Sequence, residues 1–428
     1  MRRRFLISTA IADAGALLLG LAVASTIVFG TAVPWWAELE QDQSVWPLLA
    51  FFTGSALASS TISAQMWAGS APRPSYGRGL GIVLTAVAST SLLVVLTRVY
   101  WSRQFLVLTS VLWAFGAITH RALRRRRPWT ERMVVATREK ELLENLRNSP
   151  HAEVVSVLDP GHEGEIEPLE TDVTLVLDLR AVLSNRMAQF AASSTLAGNT
   201  IRAFTNVYEE HTGRLPVVHL AEGWEMRAPA SRTAPYQAVK RLIDVTSVLL
   251  TLPLTVAIGI ITALVVRLTS AGPVIFKQQR AGRHEVPFTL YKFRTMRADA
   301  ESEGPSFARP NDSRLTSVGN SLRRSRLDEL PQLWNVLKGD LSIVGPRPEQ
   351  IPFVEQFEEE IPFYSQRHLI RPGVTGWAQV RFGYADDEAD TMEKLTYDLY
   401  YVKNMSPWLD LHVLGESLWT VLSGNGAR

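Results

Sequence analysis

The sequence predicts a membrane protein in three parts: a four-helix transmembrane bundle (residues 1–127), a small α/β Rossmann-like cytosolic domain (128–235) and a mainly α-helical, monotopic C-terminal domain (236–428) with a re-entrant membrane helix at 242–266. Long apolar runs lie almost entirely in the first third and in one later stretch. Short β-branched runs alternate with amphipathic helices in the middle. Toward the end, basic residues alternate with glycine and proline turns.

The composition excludes several classes of protein. The chain has 428 residues, 46% of them hydrophobic, and a formal net charge of +2. This balance excludes a disordered chain and a strongly nucleic-acid-binding one, so no nucleic-acid partner is expected. Without cysteine, neither a disulfide framework nor a thiolate zinc site can form, and the eight histidines show no paired ligand spacing.

Four N-terminal apolar runs predict the transmembrane bundle. They are Leu6–Val33, Trp46–Ala68, Leu80–Val99 and Phe105–His120. The last run is short and needs to extend through Ala122 to cross a bilayer. Asp13 is the only charge in the first run, and a helix in a bundle can hide it against polar neighbours. A signal peptide is the alternative for this run, but no convincing small-residue cleavage site precedes Trp35.

Basic residues in the short loops predict the orientation, because Lys and Arg concentrate on the cytoplasmic side. Basic residues precede the first run. Others lie between the second and third runs (Arg73 and Arg78) and densely after the fourth (Arg121 and Arg124–Arg127). Arg98 and Arg103, in the third loop, oppose the pattern. The balance places both ends of the bundle inside and everything after Arg127 in the cytosol.

The middle region predicts a small parallel sheet covered by helices. From about Met133 the chain reads MVVAT, KELLENLRNS, VVSVL, TLVLDL and later LPVVHL. A dinucleotide fold needs a glycine-rich turn after its first strand, whereas that turn here reads TREKE. We therefore expect a structural or regulatory role for this domain, which is also a candidate surface for a homodimer.

A fifth apolar run, Leu242–Val266, is long enough to span a membrane. Pro253 lies near its middle, and proline removes a helical hydrogen bond and kinks a helix. Lys240–Arg241 precede the run and Arg267 follows it, so both ends prefer the same side of the membrane. A re-entrant helix kinked at Pro253 satisfies both ends. An ordinary fifth span, which would put the C-terminal part outside the cell, is the alternative.

The candidate catalytic and binding residues lie between Gly272 and Gln379. Basic residues alternate with turns in this segment, an arrangement that suits phosphates held by several loops. Asp328 and Glu329 precede a predicted helix from Pro331 through Leu337. Four apolar positions place one face of that helix against the protein: Leu330, Leu333, Trp334 and Leu337.

An acidic pair at a helix N-terminus stays ionised and lies where phosphate oxygens are attracted. Helix capping is the plain alternative for Asp328 and Glu329. The nearby arginines favour a catalytic or binding role of the pair over helix capping. They are Arg314, Arg323, Arg324 and Arg326 before the pair and Arg347 after it. So many cations around two carboxylates indicate a diphosphate and a divalent metal.

The stretch from about Lys240 to the C-terminus strongly resembles the monotopic polyprenyl-phosphate phosphoglycosyl transferases, the bacterial sugar transferase family. The runs KFRTM, LDELPQLWNVLKGDLSIVGPRP and PGVTGWAQV carry the resemblance, in that order. In its four spans and α/β domain, the chain resembles the large members of the family in organisation only. The family implies the re-entrant helix, although it often has serine before the proline, where this chain has Leu252.

The resemblance implies transfer of a sugar-1-phosphate from a UDP-sugar to undecaprenyl phosphate at the bacterial inner membrane, initiating exopolysaccharide, capsule or O-antigen synthesis. Asp328 would attack the β-phosphate, release UMP and carry a covalent phosphosugar. Glu329, with Asp328, would help place Mg²⁺. Phosphate contacts are implied for four further residues: Lys292, Arg294, Arg323 and Arg347. The sugar stays open among galactose, glucose and N-acetylated sugars.

Two rival functions remain. A membrane scaffold or regulator with a dead transferase domain is disfavoured because Asp328, Glu329 and Arg347 are intact. A multispanning transferase without a covalent intermediate would need acidic motifs between many spans, and none appear. In the tail, Thr396–Leu422, aromatic residues fit the membrane boundary and core packing equally.

Overall fold

The computed structural model describes residues 2–33, 50–56, 58, 76–97, 102–125, 130–170, 172–216, 224–297, 314–382 and 388–423. The N-terminal region contains the helices α1 (Arg2–Phe29), α2 (Tyr76–Thr97) and α3 (Arg103–Arg125), and residues 50–56 are helical as well. The predicted span Trp46–Ala68 lies largely outside the described residues, so a bundle of four helices stays a prediction.

Helices α1 and α3 are long and apolar enough to cross a membrane, through Thr9–Phe29 and Arg103–Leu123. Helix α2 has a shorter apolar stretch, Ile82–Val94. Leu17 and Trp113 are buried between these helices, whereas Leu18 and Phe115 remain more than 60% exposed. Apolar side chains on an outer face indicate lipid contact, so the protein is a membrane protein.

A buried ion pair joins α1 to α3. Arg121 donates from Nη1 to Asp13 Oδ1 at 2.5 Å and from Nη2 to Oδ2 at 2.7 Å. The indole of Trp113 also donates to the Asp13 carbonyl at 3.1 Å. The polar neighbour expected for the single charge of the first span is therefore an arginine 108 residues away. Because hydrocarbon cannot solvate either charge, each is buried only with the other.

The middle domain is a four-stranded parallel sheet in the order β2-β1-β3-β4. Its elements, in chain order, are β1 (Glu131–Ala136), α4 (Lys140–Arg147), β2 (Ala152–Leu158), β3 (Thr174–Leu177), α5 (Asn185–Leu196), β4 (Ile201–Ala203) and α6 (Phe204–Thr212). Met133, Val135 and Val176 are buried against the helices on one face. The alternation of strands and helices correctly predicted this architecture.

The fourth strand is not the one predicted. Strand β4 consists of three residues, Ile201–Ala203, which are too few to show a strand pattern in the sequence. The predicted strand LPVVHL begins with Leu215 and Pro216 in irregular structure, and its remainder lies outside the described residues.

Helix α7 (Trp224–Thr269) links the middle domain to the C-terminal domain and contains a third membrane-length stretch, Tyr236–Thr269. It is one α-helix of 46 residues that continues through Pro253. The predicted boundary between residues 235 and 236 therefore falls inside a helix. The kink at Pro253 and the re-entrant path stay predictions.

The C-terminal domain is mainly helical, with an antiparallel hairpin of β5 (Ile275–Ala281) and β6 (Pro287–Phe293) and a parallel pair of β7 (Ser342–Val344) and β8 (Gly373–Thr375). The helices are α8 (Gly319–Arg324), α9 (Gln332–Lys338), α10 (Ile351–Glu360), α11 (Trp377–Arg381), α12 (Glu388–Asn404) and α13 (Pro407–Ser423). Core packing explains part of the aromatic tail, and its position at a membrane boundary stays a prediction. Tyr401 is 1% exposed in the core, whereas Trp419 is 71% exposed on α13.

The middle domain contacts the C-terminal domain where α6 ends. Gly213 terminates α6 in the left-handed conformation, with φ of 68°, and its carbonyl accepts a hydrogen bond from the Trp377 indole at 2.8 Å. Arg214 donates to the Tyr397 hydroxyl at 2.7 Å. Lys403 forms an ion pair with Glu209 at 2.7 Å. These contacts join α6 to the α11–α12 region by directional bonds.

Candidate active site

Asp328 and Glu329 lie in a single 3₁₀ turn, Leu327–Glu329, directly before α9. Arg326 enters this turn in the left-handed conformation, with φ of 56°, which is uncommon for a residue with a side chain. Helix α9 begins at Gln332, so Pro331 lies just before the helix instead of being its first residue, as predicted from the sequence. Helix α9 has only seven residues, so we base the chemistry of the pair on its side-chain neighbours and not on a helix dipole.

Leu330, Leu333 and Leu337 pack partly buried against the core, as predicted, but Trp334 does not. Gln332, Asn335 and Val336 are buried, whereas Trp334 is 59% exposed. The Asn335 amide donates to the Thr289 carbonyl of β6 at 2.7 Å, and its oxygen accepts from the Tyr291 N–H at 3.2 Å. An apolar pattern could not reveal this polar anchor, which holds α9 against the strand that carries Lys292.

Asp328 is a buried carboxylate with one oxygen lacking a hydrogen-bond partner. The residue is 7% exposed, and the unpartnered atom is Oδ1. Burial, followed by the neighbouring charge of Glu329, raises the pKa of Asp328 to about 6. The carboxylate is therefore mostly ionised at pH 7, and a buried anionic oxygen without a donor retains its nucleophilic lone pairs.

Glu329 has the opposite environment. Its carboxylate accepts from Arg326 Nη1 at 3.2 Å and from Arg347 Nη1 at 3.4 Å. Burial alone would raise the pKa of Glu329, but the positive charges of Arg347 and Arg326 outweigh it and lower the pKa. Glu329 is thus a fixed anion that orients two guanidinium groups beside Asp328.

Lys292 is the third charged group of the site and lies on β6 opposite Phe276. Burial, and then the charges of Arg347 and Arg280, lower the pKa of Lys292 to about 7, although Glu329 and Asp328 act in the other direction. A partly buried ammonium close to other cations binds an incoming anion strongly, since the anion relieves their repulsion.

Arg323 and Arg294, both predicted to contact phosphate, have different surroundings. Arg323 donates from Nε to Thr295 Oγ1 at 3.0 Å, and its charge lowers the pKa of Asp328. Arg294 donates to the carbonyls of Pro273 and Ser270 at 2.6 and 2.8 Å, where α7 ends. The structure thus gives Arg294 a role in holding the end of α7, and its phosphate contact stays a prediction.

Arg347 is held by backbone contacts between two motifs. The N–H of Gly345 donates to the Thr375 carbonyl, and that of Gly373 donates to the Pro346 carbonyl, both at 2.8 Å. A Cβ at Gly345 would lie 2.6 Å from the Arg371 carbonyl oxygen, so the close approach needs glycine. This contact brings the VGPRP and PGVTGW segments together.

Sequence reasoning missed the buried ion pairs that support Arg347. Arg367 donates to the Arg347 carbonyl at 2.9 Å and pairs with Asp398 at 2.7 Å. Glu349 accepts from Lys394 at 2.7 Å. Lys394, Arg367 and Arg280 overcome burial and lower the pKa of Glu349. A charged residue next to a motif signals such support only weakly, because its partner is distant in sequence.

The site fits a divalent cation held together with substrate phosphates. Asp328 Oδ1 is an unpartnered oxygen, and Glu329 supplies a second carboxylate. Mg²⁺ is commonly bound by one or two carboxylates plus phosphate oxygens and water. Three cations lie around the pair: Lys292, Arg326 and Arg347. Their positive charge would attract a further anion, such as the diphosphate of a substrate.

Comparison with known proteins identifies the family. A model described as bacterial sugar transferase matches residues 235–424. The chain is 43% identical over 258 residues, 59% of its length, to the UDP-N-acetylgalactosamine-undecaprenyl-phosphate N-acetylgalactosaminephosphotransferase of Aeromonas hydrophila, of which it covers 60%. It is also 43% identical over 180 residues, 41% of its length, to the UDP-glucose:undecaprenyl-phosphate glucose-1-phosphate transferase of Escherichia coli (strain K12), of which it covers 38%.

The chain thus spans less than two thirds of the length of these two relatives. A shorter relative is covered almost completely. The uncharacterized sugar transferase EpsL of Bacillus subtilis (strain 168) is 43% identical over 190 residues, 44% of this chain and 90% of its own length. The chain therefore belongs to the bacterial sugar transferase family, by way of residues 235–424.

Proposed function

We propose that this protein transfers a sugar-1-phosphate from a UDP-sugar to undecaprenyl phosphate through a covalent intermediate on Asp328. The observation that carries the proposal is the buried Oδ1 of Asp328, which has no hydrogen-bond partner and lies among cations. Two relatives are named for transfers of this type, one with N-acetylgalactosamine and one with glucose.

In the first step, an Asp328 oxygen forms a bond to the β-phosphorus of the donor. The bond from that phosphorus to the oxygen bridging the two phosphates breaks, and UMP leaves with the bridging oxygen and the electron pair. In the second step, a phosphate oxygen of undecaprenyl phosphate attacks the same phosphorus. The bond to Asp328 breaks, and the carboxylate is regenerated.

Neither step needs a proton to be added or removed, since reactants and products carry equal negative charge in each. The chemistry therefore requires an ionised nucleophile and positive charge, not a general base. The site matches this requirement. Asp328 is mostly ionised at neutral pH, and the positive charges that act on it include Lys292, Arg323 and Arg326.

The side chains around Asp328 have separate roles in the proposal. Arg347 and Lys292 neutralise the phosphate oxygens of the donor and orient the β-phosphorus toward Oδ1. Glu329 keeps Arg326 and Arg347 in place. Mg²⁺, bound by Asp328 and Glu329 with the diphosphate, would supply further positive charge for the leaving UMP.

The packing of α7 supports a monotopic domain. Near the middle of α7, Val248 packs against β6 and α9, and near its end Val266 packs against Phe293 of the same strand. Contact of one small domain with the helix at both positions supports the proposal that the apolar run enters and leaves the bilayer on one side. The opposite face remains open to lipid, with Leu250 and Leu268 more than 75% exposed.

The exposed Trp334 supports a site at the membrane surface. It lies on α9, six residues after Asp328, and is 59% exposed. A tryptophan of this kind favours the boundary between headgroups and acyl chains. The acceptor's phosphate lies at that depth, so the lipid substrate need not leave the bilayer to reach Asp328.

Isotope exchange tests the reaction. Purified full-length protein is mixed with UDP-sugar and labelled UMP without acceptor lipid, and the label entering UDP-sugar is measured for a panel of donors. We expect exchange with the native chain and with Glu359→Gln, an exposed control on α10, and none with Asp328→Asn. Exchange that persists in Asp328→Asn would remove this residue as the nucleophile.

Cysteine labelling tests the topology, since the chain has no native cysteine. Ala238→Cys and Lys277→Cys place exposed reporters on the two sides of the apolar run Leu242–Val266. Both should resist an impermeant thiol reagent in intact cells and react after permeabilisation. Labelling of Lys277→Cys alone in intact cells would restore the five-span topology.

A further inference from the structure

Three potential metal ligands converge outside the proposed active site. Glu285 lies in the turn between β5 and β6, Glu358 on α10, and His368 in the 3₁₀ helix Tyr364–Leu369. His368 Nδ1 is 3.6 Å from Glu285 Oε1 and 3.9 Å from Glu358 Oε1. One ligand atom from each residue lies within 4.8 Å of the other two.

The histidine distinguishes this cluster from an ordinary acidic surface patch. His368 is 6% exposed, and its Nδ1 is buried without a hydrogen-bond partner. Both carboxylate oxygens lie beyond hydrogen-bond distance of that nitrogen. The ring is fixed edge-on against Tyr364, with the centroids 5.9 Å apart. A buried imidazole packed against Tyr364 thus directs an unused nitrogen toward two carboxylates.

The chemical state of the imidazole is compatible with metal ligation. Burial and the adjacent charge of Arg367 lower the pKa of His368 to about 3, so the ring is neutral at physiological pH. A neutral imidazole keeps one nitrogen lone pair, and Nδ1 has it in the tautomer that is protonated on Nε2.

We propose that Glu285, Glu358 and His368 bind one divalent transition-metal ion of the zinc class. Zinc bonds to His nitrogen and carboxylate oxygen are about 2.0–2.2 Å long, so ligand atoms in a tetrahedral site lie about 3.3 Å apart. The separations of 3.6 and 3.9 Å are a few tenths of an ångström wider. Exposed rotamers of Glu285 and Glu358 can close that gap, and water can complete the coordination.

The ligand set favours zinc over the magnesium expected at Asp328. Mg²⁺ prefers oxygen ligands, whereas an imidazole with carboxylates suits Zn²⁺ and its neighbours in the transition series. A metal-free cluster would have Glu285 and Glu358 share a proton, and burial together with Glu285 does raise the pKa of Glu358. That arrangement leaves His368 Nδ1 without a partner, while a metal ion engages all three groups.

A metal at this position would stiffen one side of the active site. It would join the tip of the β5–β6 hairpin to the 3₁₀ helix that also contains Arg367, whose guanidinium donates to the Arg347 carbonyl at 2.9 Å. Arg283 makes a related link by donating to the Leu369 carbonyl at 3.3 Å. The metal site is independent of the proposed transfer reaction, because its ligands do not include Asp328 or Glu329.

Metal binding is tested on the full-length chain in detergent, in an Asp328→Asn/Glu329→Gln background that removes the other carboxylate cluster. The protein carries a purification tag free of histidine, is stripped with EDTA and is titrated with Zn²⁺. Bound zinc and the zinc-dependent rise in melting temperature are measured. We expect one equivalent of zinc and a positive thermal shift.

Three variants locate the site. His368→Gln and Glu358→Gln should each weaken zinc binding by about tenfold or more, while Glu359→Gln, the adjacent charge on the same helix, should bind normally. Glu358 is on the surface, so its variant folds even where a change at buried His368 does not. Failure of the background protein to bind zinc, or unchanged binding by Glu358→Gln, would overturn the proposal.

Discussion

The pH dependence of the first half-reaction should identify Asp328 and Lys292 as the titrating groups. Asp328 must be ionised to attack, and its pKa is about 6. Lys292 must be protonated to hold phosphate, and its pKa is about 7. The rate should therefore rise with pH through the first value and fall through the second, which gives a bell-shaped profile.

The size of the effect follows from these two values. With pKa values of about 6 and 7, both groups have the required state in about 60% of molecules at pH 6.5 and in about 9% at pH 5 and at pH 8. The second-order rate constant for UMP release should thus fall about sixfold on each side. Acceptor lipid is omitted, because its phosphate monoester also titrates in this range.

Two variants assign the limbs of the profile. Lys292→Arg retains a positive charge at all pH values used, so the fall above pH 7 should disappear. Lys292→Met removes a charge that lowers the pKa of Asp328, so the acidic limb should move to higher pH. A flat profile from pH 5 to pH 8, or an unchanged alkaline limb in Lys292→Arg, would refute these assignments.

Three further predictions concern stability. Asp328→Asn should stabilise the protein by about 3 kcal/mol at pH 8 and about half of that at pH 5, because a carboxylate with a raised pKa loses its stabilising contribution as pH rises through about 6; equal melting shifts at both pH values would contradict this. Asp13→Ala should cost about 3–5 kcal/mol by leaving Arg121 buried and unpaired. The double variant Asp13→Leu/Arg121→Met should recover most of that loss in thermal unfolding, and an equal loss in both would exclude the ion pair as the cause. Gly213→Ala should loosen α6, because the new Cβ would lie 2.9 Å from the neighbouring indole. Hydrogen exchange over residues 204–215 should rise more than exchange near α5 in Gly198→Ala, where φ is also positive but space is open.

Periodicity and local composition made the large-scale architecture predictable from the sequence. The apolar runs marked α1, α3 and α7, and strand–helix alternation marked the parallel sheet. Motif residues also predicted that Asp328, Glu329, Lys292 and Arg347 would lie together, and the structure brings their charges into mutual interaction.

Features that depend on contacts between distant residues could not be predicted in this way. The partner of Asp13 is 108 residues away. Trp334 fits a helical apolar stripe but lies on the open face, because Asn335 anchors α9 through hydrogen bonds that hydrophobic periodicity does not register. The cluster around His368 combines residues from three separate segments. The spacing of histidines along the sequence cannot reveal such a metal site.

The covalent intermediate is tested most directly by trapping it. The native chain is incubated with a UDP-sugar and Mg²⁺ in the absence of acceptor lipid, quenched, and digested for mass spectrometry, with hydroxylamine used in parallel to convert an acyl phosphate into a stable hydroxamate. We predict a phosphosugar adduct, and after hydroxylamine a hydroxamate, on the peptide that contains Asp328. Stoichiometric release of UMP with the modification on a different residue, or with no modification of the chain, would contradict the account.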